Sequence, residues 1–199
     1  MRTQTIGELC NIIEKFDLNP STDKNSVHCY VKGYYDKEFL KYKDEKITFL
    51  EIGIRGGGSI KLWAEYFTNC EKIIGIDVDQ SALFEQFKEI EGVEYHFANA
   101  YTQESADKIP DLDIFLDDGP HTLESQIDAI HYYLPKVKSG GLFLIEDVQD
   151  EEWFSSLEEK VNQMNINKQY EIEKVDLRHM KNMYGDHRYD DLIFAVKVL

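Results

Sequence analysis

Apolar positions along the chain recur in two rhythms. Short, nearly continuous apolar runs at residues 47–52, 72–76, 93–97, 112–116 and 142–145 predict strands, each followed by a turn. Between and after them, residues 58–67, 81–90, 122–134 and 151–164 place apolar side chains at three-to-four spacing, which predicts amphipathic helices. In the third helix Ile127, Ile130 and Leu134 form the stripe, while Thr122 and Glu124 supply a cap and a favourable charge at the positive end of the dipole. This alternation is the βαβ rhythm of a parallel sheet. The rhythm then changes. Residues 170–175 and 192–198 read as two strands joined by a polar loop too short for an ordinary crossover helix, so they should pair antiparallel. Upstream, Ile6, Leu9, Ile12, Ile13 and Phe16 mark one more amphipathic helix, in a segment 1–46 expected to add helices and a lid to a domain spanning 47–199.

Composition narrows the class. A chain of 199 residues, 42% hydrophobic and 13% aromatic, has the apolar surface to offset its ordering entropy and is expected to fold around one core. Asp and Glu number 38 against 22 Lys and Arg, and the net charge of −16 repels phosphate backbones and anionic lipid. Nucleic acid and membranes are therefore poor partners, and the charge serves solubility or the attraction of metal cations. Cys10, Cys29 and Cys70 are odd in number and lack CxxC spacing, which favours neither a disulfide framework nor a thiolate zinc site and fits a reducing cytoplasm. Residues 1–5 carry no apolar leader, and no apolar run approaches the roughly 18 residues of a membrane span. Neither a GxSxG elbow nor a GxxxxGK[ST] loop is present, so hydrolase and kinase readings fall away.

The residues that carry chemistry stand at strand ends. Phe49-Leu50-Glu51-Ile52-Gly53-Ile54-Arg55-Gly56-Gly57-Gly58-Ser59 joins the first strand to the first helix, and its glycines let the backbone turn sharply against a ligand. The second strand ends in Asp77-Val78-Asp79, with Asp77 at 19 residues beyond Gly58, near the ~20 at which a carboxylate grips ribose hydroxyls. Asp79 and Ser81 suit helix caps better. A dinucleotide could use the same features, but its pyrophosphate prefers an uncluttered positive helix start, and Glu51 stands just before this turn.

Asp117-Asp118-Gly119-Pro120-His121 follows the fourth strand, and Ile145-Glu146-Asp147 follows the fifth. Ligands of open α/β sheets bind beyond the carboxyl ends of strands that lie ~4.8 Å apart, so these acids can converge. Three carboxylates and one imidazole at one rim suit a divalent cation, Mg²⁺ or Mn²⁺ before Fe²⁺ or Ca²⁺. Successive strand side chains point to opposite faces, so Glu146 and Asp147 reach one ion only if the strand ends at once, while Gly119 supplies the corresponding turn after Asp118. The alternative is a set of acids that merely solvate strand ends, with His121 at the start of a helix.

Five βα units closed by an antiparallel pair resemble the class I methyltransferases over about residues 47–199. That resemblance implies a Rossmann-like α/β fold with a seven-stranded, mostly parallel sheet in the order 3-2-1-4-5-7-6 and helices on both faces. The glycine run is similar to the family's first motif, with Arg55 where a middle glycine is usual. It implies S-adenosylmethionine as cofactor, held by Gly53, Ile54, Arg55, Gly57, Ser59, Asp77, Val78 and Asp117, with Glu51 serving its ammonium group. Asn99-Ala100-Tyr101 stands where an acidic adenine reader is common; Asn99 would hydrogen-bond adenine and Tyr101 would stack on it.

Within that class, the DDGxH and IED pair, with Asp118 and Glu146 separated by 28 positions, resembles the metal-dependent macrocin and mycinamicin type sugar O-methyltransferases. Thr22-Asp23-Lys24-Asn25, His28, Tyr30 and Tyr35 are similar to an N-terminal DK…H.Y…Y stretch of the same family, and Pro120 stands where serine is more usual. The resemblance implies that Asp118, Glu146 and Asp147 hold the metal and that His121 is the general base. His28 and Tyr30 either close over the cofactor or serve the structure. The loop 177–191, with His179, Met180, Met183, Tyr184, His187 and Arg188, either covers the acceptor or is a plain hairpin connection. The expected function is metal-assisted methylation of a hydroxyl on a sugar, sugar nucleotide or glycosylated metabolite in the cytoplasm, by a protein that by analogy forms homo-oligomers. A catechol-like acceptor, or a non-catalytic adenosylmethionine-binding role, stands as the alternative.

Overall fold

Every residue of β1 (Thr48–Ile52) is buried, as a parallel strand covered on both faces requires. A computed structural model describes residues 7–164 and 167–199. Around β1 the described residues set β2 (Lys72–Asp77), β3 (Val93–Phe97), β4 (Leu112–Asp117), β5 (Val137–Ile145), β6 (Tyr170–Asp176) and β7 (Leu192–Val198) in one sheet, in the expected order 3-2-1-4-5-7-6. Leu50 lies between Ile74 and Phe115 in parallel register, while β7 runs antiparallel to both β5 and β6.

The alternation of strand side chains divides the core into two layers. Phe49, Ile73, Leu116 and Leu144 face one layer together with the helix Gly58–Tyr66 and the N-terminal residues Leu9, Tyr35 and Phe39. Leu50, Ile74, Phe115 and Phe143 face the other, against the helices Leu123–Tyr133 and Trp153–Gln163. In the first layer Phe39, Phe49, Trp63 and Phe67 interlock with ring centroids 5.4–6.3 Å apart. Each such side chain contributes ~1.5–3 kcal/mol by leaving water, which fixes the N-terminal segment to the sheet.

Local signals set most element ends. Thr122 caps the helix Leu123–Tyr133 by accepting from the backbone of Ser125, whose hydroxyl in turn accepts from the backbone of Thr122. The N-terminal helix is Glu8–Lys15, with Leu9 and Ile13 buried; Ile6, assigned to the same stripe, lies outside the described residues. One expectation fails. Residues 81–90 form not an α-helix but two short 3₁₀ turns, Gln80–Ala82 and Glu85–Phe87, the first capped by Asp79. The backbone of Phe84 donates to Gly56, and Leu83 and Phe87 pack over Gly57, so burial against the glycine loop overrides the helical pattern. The helix Gln103–Asp107, capped by Thr102, was not anticipated from the pattern. No helix among the described residues is long and apolar enough to cross a membrane, and all three cysteines are free.

Candidate active site

The carboxyl ends of the central strands open on a cavity of about 890 Å³. Its cofactor side is built on the turn after β1. Gly53 has φ of +85°, and a Cβ there would lie 1.9 Å from the carbonyl oxygen of Asp118, so only glycine lets β1 and β4 end this close together. Arg55 takes the left-handed conformation a glycine would have taken, with φ of 40°, and its backbone N–H donates to Asp77 Oδ2 at 2.8 Å. Asp77 Oδ1 accepts from the backbone of Asp79 at 2.9 Å. The carboxylate at the end of β2 is thereby fixed at the cavity wall, beside an exposed Val78.

Gly53, Ile54, Arg55, Ser59, Asp77, Val78, Ala100 and Tyr101 line the cavity. Gly57 packs under Leu83 and Phe87 instead, and Asn99 is exposed, with its Oδ1 accepting from the backbone of Tyr101. Glu51 is fully buried below the cavity, where one carboxylate oxygen accepts from Ser59 Oγ at 2.8 Å and Trp63 Nε1 at 3.0 Å. Asp117 lies behind the wall; Tyr101 donates its hydroxyl to it at 2.5 Å, and burial pushes its carboxyl up to about 7 against that hydrogen bond.

The acid side is closed from beneath. Asp118 and His121 line the same cavity, and Asp147 stands behind His121. β5 ends at Ile145, and Asp147 and His121 both adopt positive φ, 49° and 55°, a conformation that costs a non-glycine residue roughly 1–2 kcal/mol and aims these side chains off the strand direction. His121 Nε2 is 3.8 Å from Asp118 Oδ1 and 3.6 Å from Asp147 Oδ2. These separations are too long for hydrogen bonds and leave room for a small cation between the two carboxylates, beside the imidazole. The expected metal set is divided by this geometry. Asp118, His121 and Asp147 make one cluster, and Glu51, Asp118 and Glu146 make another, with Asp118 shared.

Residues of the N-terminal segment fill the space under these acids. Lys24, almost fully buried, donates to Asp118 Oδ2 at 2.7 Å and to Glu146 Oε2, and pairs with Glu51 Oε1 at 3.2 Å. Tyr35 donates to the other oxygen of Glu146, and Tyr30 donates to Asp147 Oδ1 at 2.5 Å. His28 pairs with Asp191 at 2.7 Å and stacks on Tyr30. His28 and Tyr30 therefore support the acids and do not reach the cavity wall, whereas Asn19–Val27 contributes Pro20, Ser21, Thr22 and Asp23 to that wall. Of the named residues in the 177–191 loop, Tyr184 lines the cavity, while His179 bonds to the carbonyl of Asp176 at the end of β6 and His187 to that of Arg178 in its own loop.

Electrostatics follow from this crowding. Burial raises Asp118 well above the usual carboxylate range, opposed by Lys24 and reinforced by Glu146 and Asp147. Burial pushes Glu146 up to about 7 and raises Asp147, which His28 and His121 oppose. Acids held this way gain most from an added cation, which favours their charged forms. Burial lowers His121 below its ordinary 6.5 despite the pull of Asp147, leaving a neutral imidazole at neutral pH. Asp190 and Asp191, at the start of β7, were missed in the sequence; their only signal is a pair of acids at a strand edge, 163 positions from His28 in the case of Asp191.

Residues 50–148 match the family model described as a methyltransferase domain. The chain carries a methyltransferase domain. Demethylmacrocin O-methyltransferase of Streptomyces fradiae is 31% identical to it over 152 residues, covering 70% of this chain and 38% of that protein. The 8-demethyl-8-alpha-L-rhamnosyl tetracenomycin-C 2'-O-methyltransferase of Streptomyces olivaceus is 29% identical over 143 residues, covering 68% of this chain and 37% of that protein. The chain thus spans well under half the length of both relatives. A solved structure of MycE methyltransferase from the mycinamycin biosynthetic pathway, in complex with Mg and SAH, covers 98% of this chain and 55% of its own, with TM-score 0.73 and 18% identity. Sheet order and this superposition make the domain a class I methyltransferase fold.

Proposed function

We propose that this methyltransferase domain transfers a methyl group from S-adenosylmethionine to a hydroxyl of a sugar-bearing small molecule, assisted by a divalent cation. One observation carries the reading: Asp118 and His121 open onto the same cavity as the glycine turn and Asp77. A volume of about 890 Å³ is that of a site for a nucleoside-sized cofactor with an acceptor beside it. Gly53, Arg55, Ser59 and Asp77 would hold the cofactor, with Asp77 on the ribose and Tyr101 against the base. Asp118 and Asp147 would hold the cation, Mg²⁺ or Mn²⁺ suiting their oxygen donors, and Glu146 braces Asp118 through Lys24. The cation, when bound, would supply Lewis acidity that lowers the proton affinity of the acceptor hydroxyl.

The chain's own residues do the remaining work. His121, neutral and close to both acids, takes the hydroxyl proton as the acceptor oxygen attacks the methyl carbon and the carbon–sulfur bond breaks toward sulfur. Tyr184 and the wall from Asn19 to Val27 would enclose the bound ligands. The sugar-bearing class of acceptor is drawn from the relatives, which are the O-methyltransferases of rhamnosyl tetracenomycin-C and demethylmacrocin.

The test is methyl transfer from labelled S-adenosylmethionine to a panel of glycosylated polyketides, nucleoside-diphosphate sugars and catechols, with Mg²⁺, Mn²⁺ or chelator present. Cation-dependent methylation of a glycosylated acceptor is expected. Turnover that ignores the chelator, or that is confined to catechols, rejects the reading.

A further inference from the structure

Arg55 stands apart from the other charged residues of this acidic chain. Arg178 pairs with Asp176 and Glu151, and Arg188 pairs with Asp190. The guanidinium of Arg55 is exposed instead, with no carboxylate at ion-pair distance among the described residues. It does not fold back onto Asp77, whose two oxygens are already taken by the backbone N–H groups of Arg55 and Asp79. The backbone of Arg55 is left-handed, with φ of 40°, a conformation that glycine reaches freely and any other residue only under strain. Glycine would build this turn more easily, so what the arginine adds is its side chain.

The cavity wall gives that side chain a task. Among the described residues that line it, Asp23, Asp77 and Asp118 are acids, and Arg55 is the single lysine or arginine. S-adenosylmethionine carries a sulfonium and an ammonium, which acids attract, and one carboxylate, which they repel. Other donors around the glycine turn are engaged. The N–H of Gly57 donates to the carbonyl of Ile54 at 2.7 Å and that of Gly58 to the carbonyl of Ser21 at 3.3 Å, so the amides that open the helix Gly58–Tyr66 are not offered to an anion. Three hydroxyls of the wall are spent as well, Ser59 on Glu51, Ser21 on the carbonyl of Leu18 and Tyr101 on Asp117. A planar fork of N–H donors on a cation is the group that matches a carboxylate best.

We infer that Arg55 is the anchor of the cofactor's carboxylate, pairing its guanidinium with the amino-acid end of S-adenosylmethionine. This rests on the reading of the cavity as the site of that cofactor. The turn that holds Arg55 also holds Asp77 through the backbone, so one short segment would grip the cofactor at both its ribose and its carboxylate. With the far end of the methionine arm tied down, the sulfur between those two grips is fixed along the wall that leads to Asp118 and His121. The carboxylate is present in substrate and product alike, so the anchor serves retention of both.

Two ligands separate this role from a merely structural one without any turnover. Calorimetry compares adenosylhomocysteine with its decarboxylated analogue, which keeps the adenosine, the sulfur and the ammonium. The parent should bind adenosylhomocysteine about 10-fold or more tightly than the analogue, the worth of a charge-assisted pair. Arg55→Gly, which suits the left-handed turn, should lose that preference: adenosylhomocysteine weakens about 10-fold while the analogue binds as it does to the parent. Arg55→Lys should restore part of the preference, and Asp77→Ala should weaken both ligands by the same factor, since both retain the ribose. An Arg55→Gly that still prefers adenosylhomocysteine as the parent does, or that loses both ligands equally, overturns the proposal. Arg55→Asn, also tolerant of left-handed backbone, repeats the comparison, and failure of both variants to fold would assign Arg55 to the turn alone and overturn it too. A parent that binds both ligands equally rejects the anchor and leaves the cofactor site standing, whereas a parent that binds neither rejects the cofactor site and the anchor with it.

Discussion

The two ends of the cavity are held together in different ways. On the cofactor side, Arg55, Asp77, Asp79 and Ser59 are joined by bonds that span at most 22 positions and use backbone N–H groups or a single hydroxyl. Several of the bonded atoms are exposed. On the acid side, Lys24, Tyr30, Tyr35 and His28 reach Asp118, Asp147, Glu146 and Asp191 across 94, 117, 111 and 163 positions, in nearly complete burial. A site that binds a large, mostly neutral nucleoside needs shape and backbone approach, which a glycine turn supplies locally. A site that gathers like charges must arrive with its countercharge and hydrogen bonds in place, because isolated buried carboxylates are too costly to leave unpaired. The two sides touch at Gly53 and Asp118.

If the division is real, substitutions should separate the two functions. Asp118→Ala should have the largest effect, removing cation-stimulated methyl transfer by ~10³-fold or more, since a bound cation supplies several kcal/mol to the transition state. Its affinity for adenosylhomocysteine, read by calorimetry, should stay nearly unchanged, and a parallel loss of cofactor binding would break the comparison. Asp77→Ala should do the reverse, weakening adenosylhomocysteine about 10–100-fold, the worth of hydrogen bonds to a charged group. Turnover at saturating cofactor should then remain near that of the parent.

Gly53→Ala strikes the point where the two sides meet. It should lower stability by at least ~1–2 kcal/mol through its left-handed backbone alone and impair cofactor and cation binding together, as denaturation and two titrations would reveal. The smallest effect is a slope. Asp117, raised from 3.8 to about 7 by burial, holds its proton more tightly folded than unfolded. The unfolded chain therefore releases that proton first, and this group's stabilisation, full at acid pH, declines as pH rises through that interval. Asp117→Asn should flatten that decline in urea melts taken at roughly pH 4, 5.5 and 7. An unaltered slope would mean that the carboxyl is not buried as described.

Legibility in the sequence followed the same line. All seven strands were readable because alternating and continuous apolar runs are local, and β3 and β7 have the expected ends. The start of β5 was not, because Lys138, Ser139, Gly140 and Gly141 carry no apolar pattern and are placed in the sheet by their neighbours. The helix expected over 81–90 was lost to a tertiary contact, the docking of Leu83 and Phe87 on Gly57. Among candidate site residues, eight of the cofactor set line the cavity, whereas Glu51, Gly57, Asn99 and Asp117 stand behind or beside it. Residue type and spacing identify strand ends but not which way a side chain turns once the strand stops.

By itself the sequence determined the strands and their βαβ rhythm, the glycine turn and the presence of three carboxylates and one imidazole at one rim, because these depend on patterns within a few tens of residues, while the sheet order followed from the resemblance to the class I methyltransferases. The tertiary structure alone decided how those acids are shared. It set Asp118 between two clusters, put Lys24 inside one of them and stationed His28, Tyr30 and Tyr35 beneath. The physical reason is that charge neutralisation in a buried site is a matter of distance in space, and no local pattern encodes which lysine, more than ninety residues away, will arrive there.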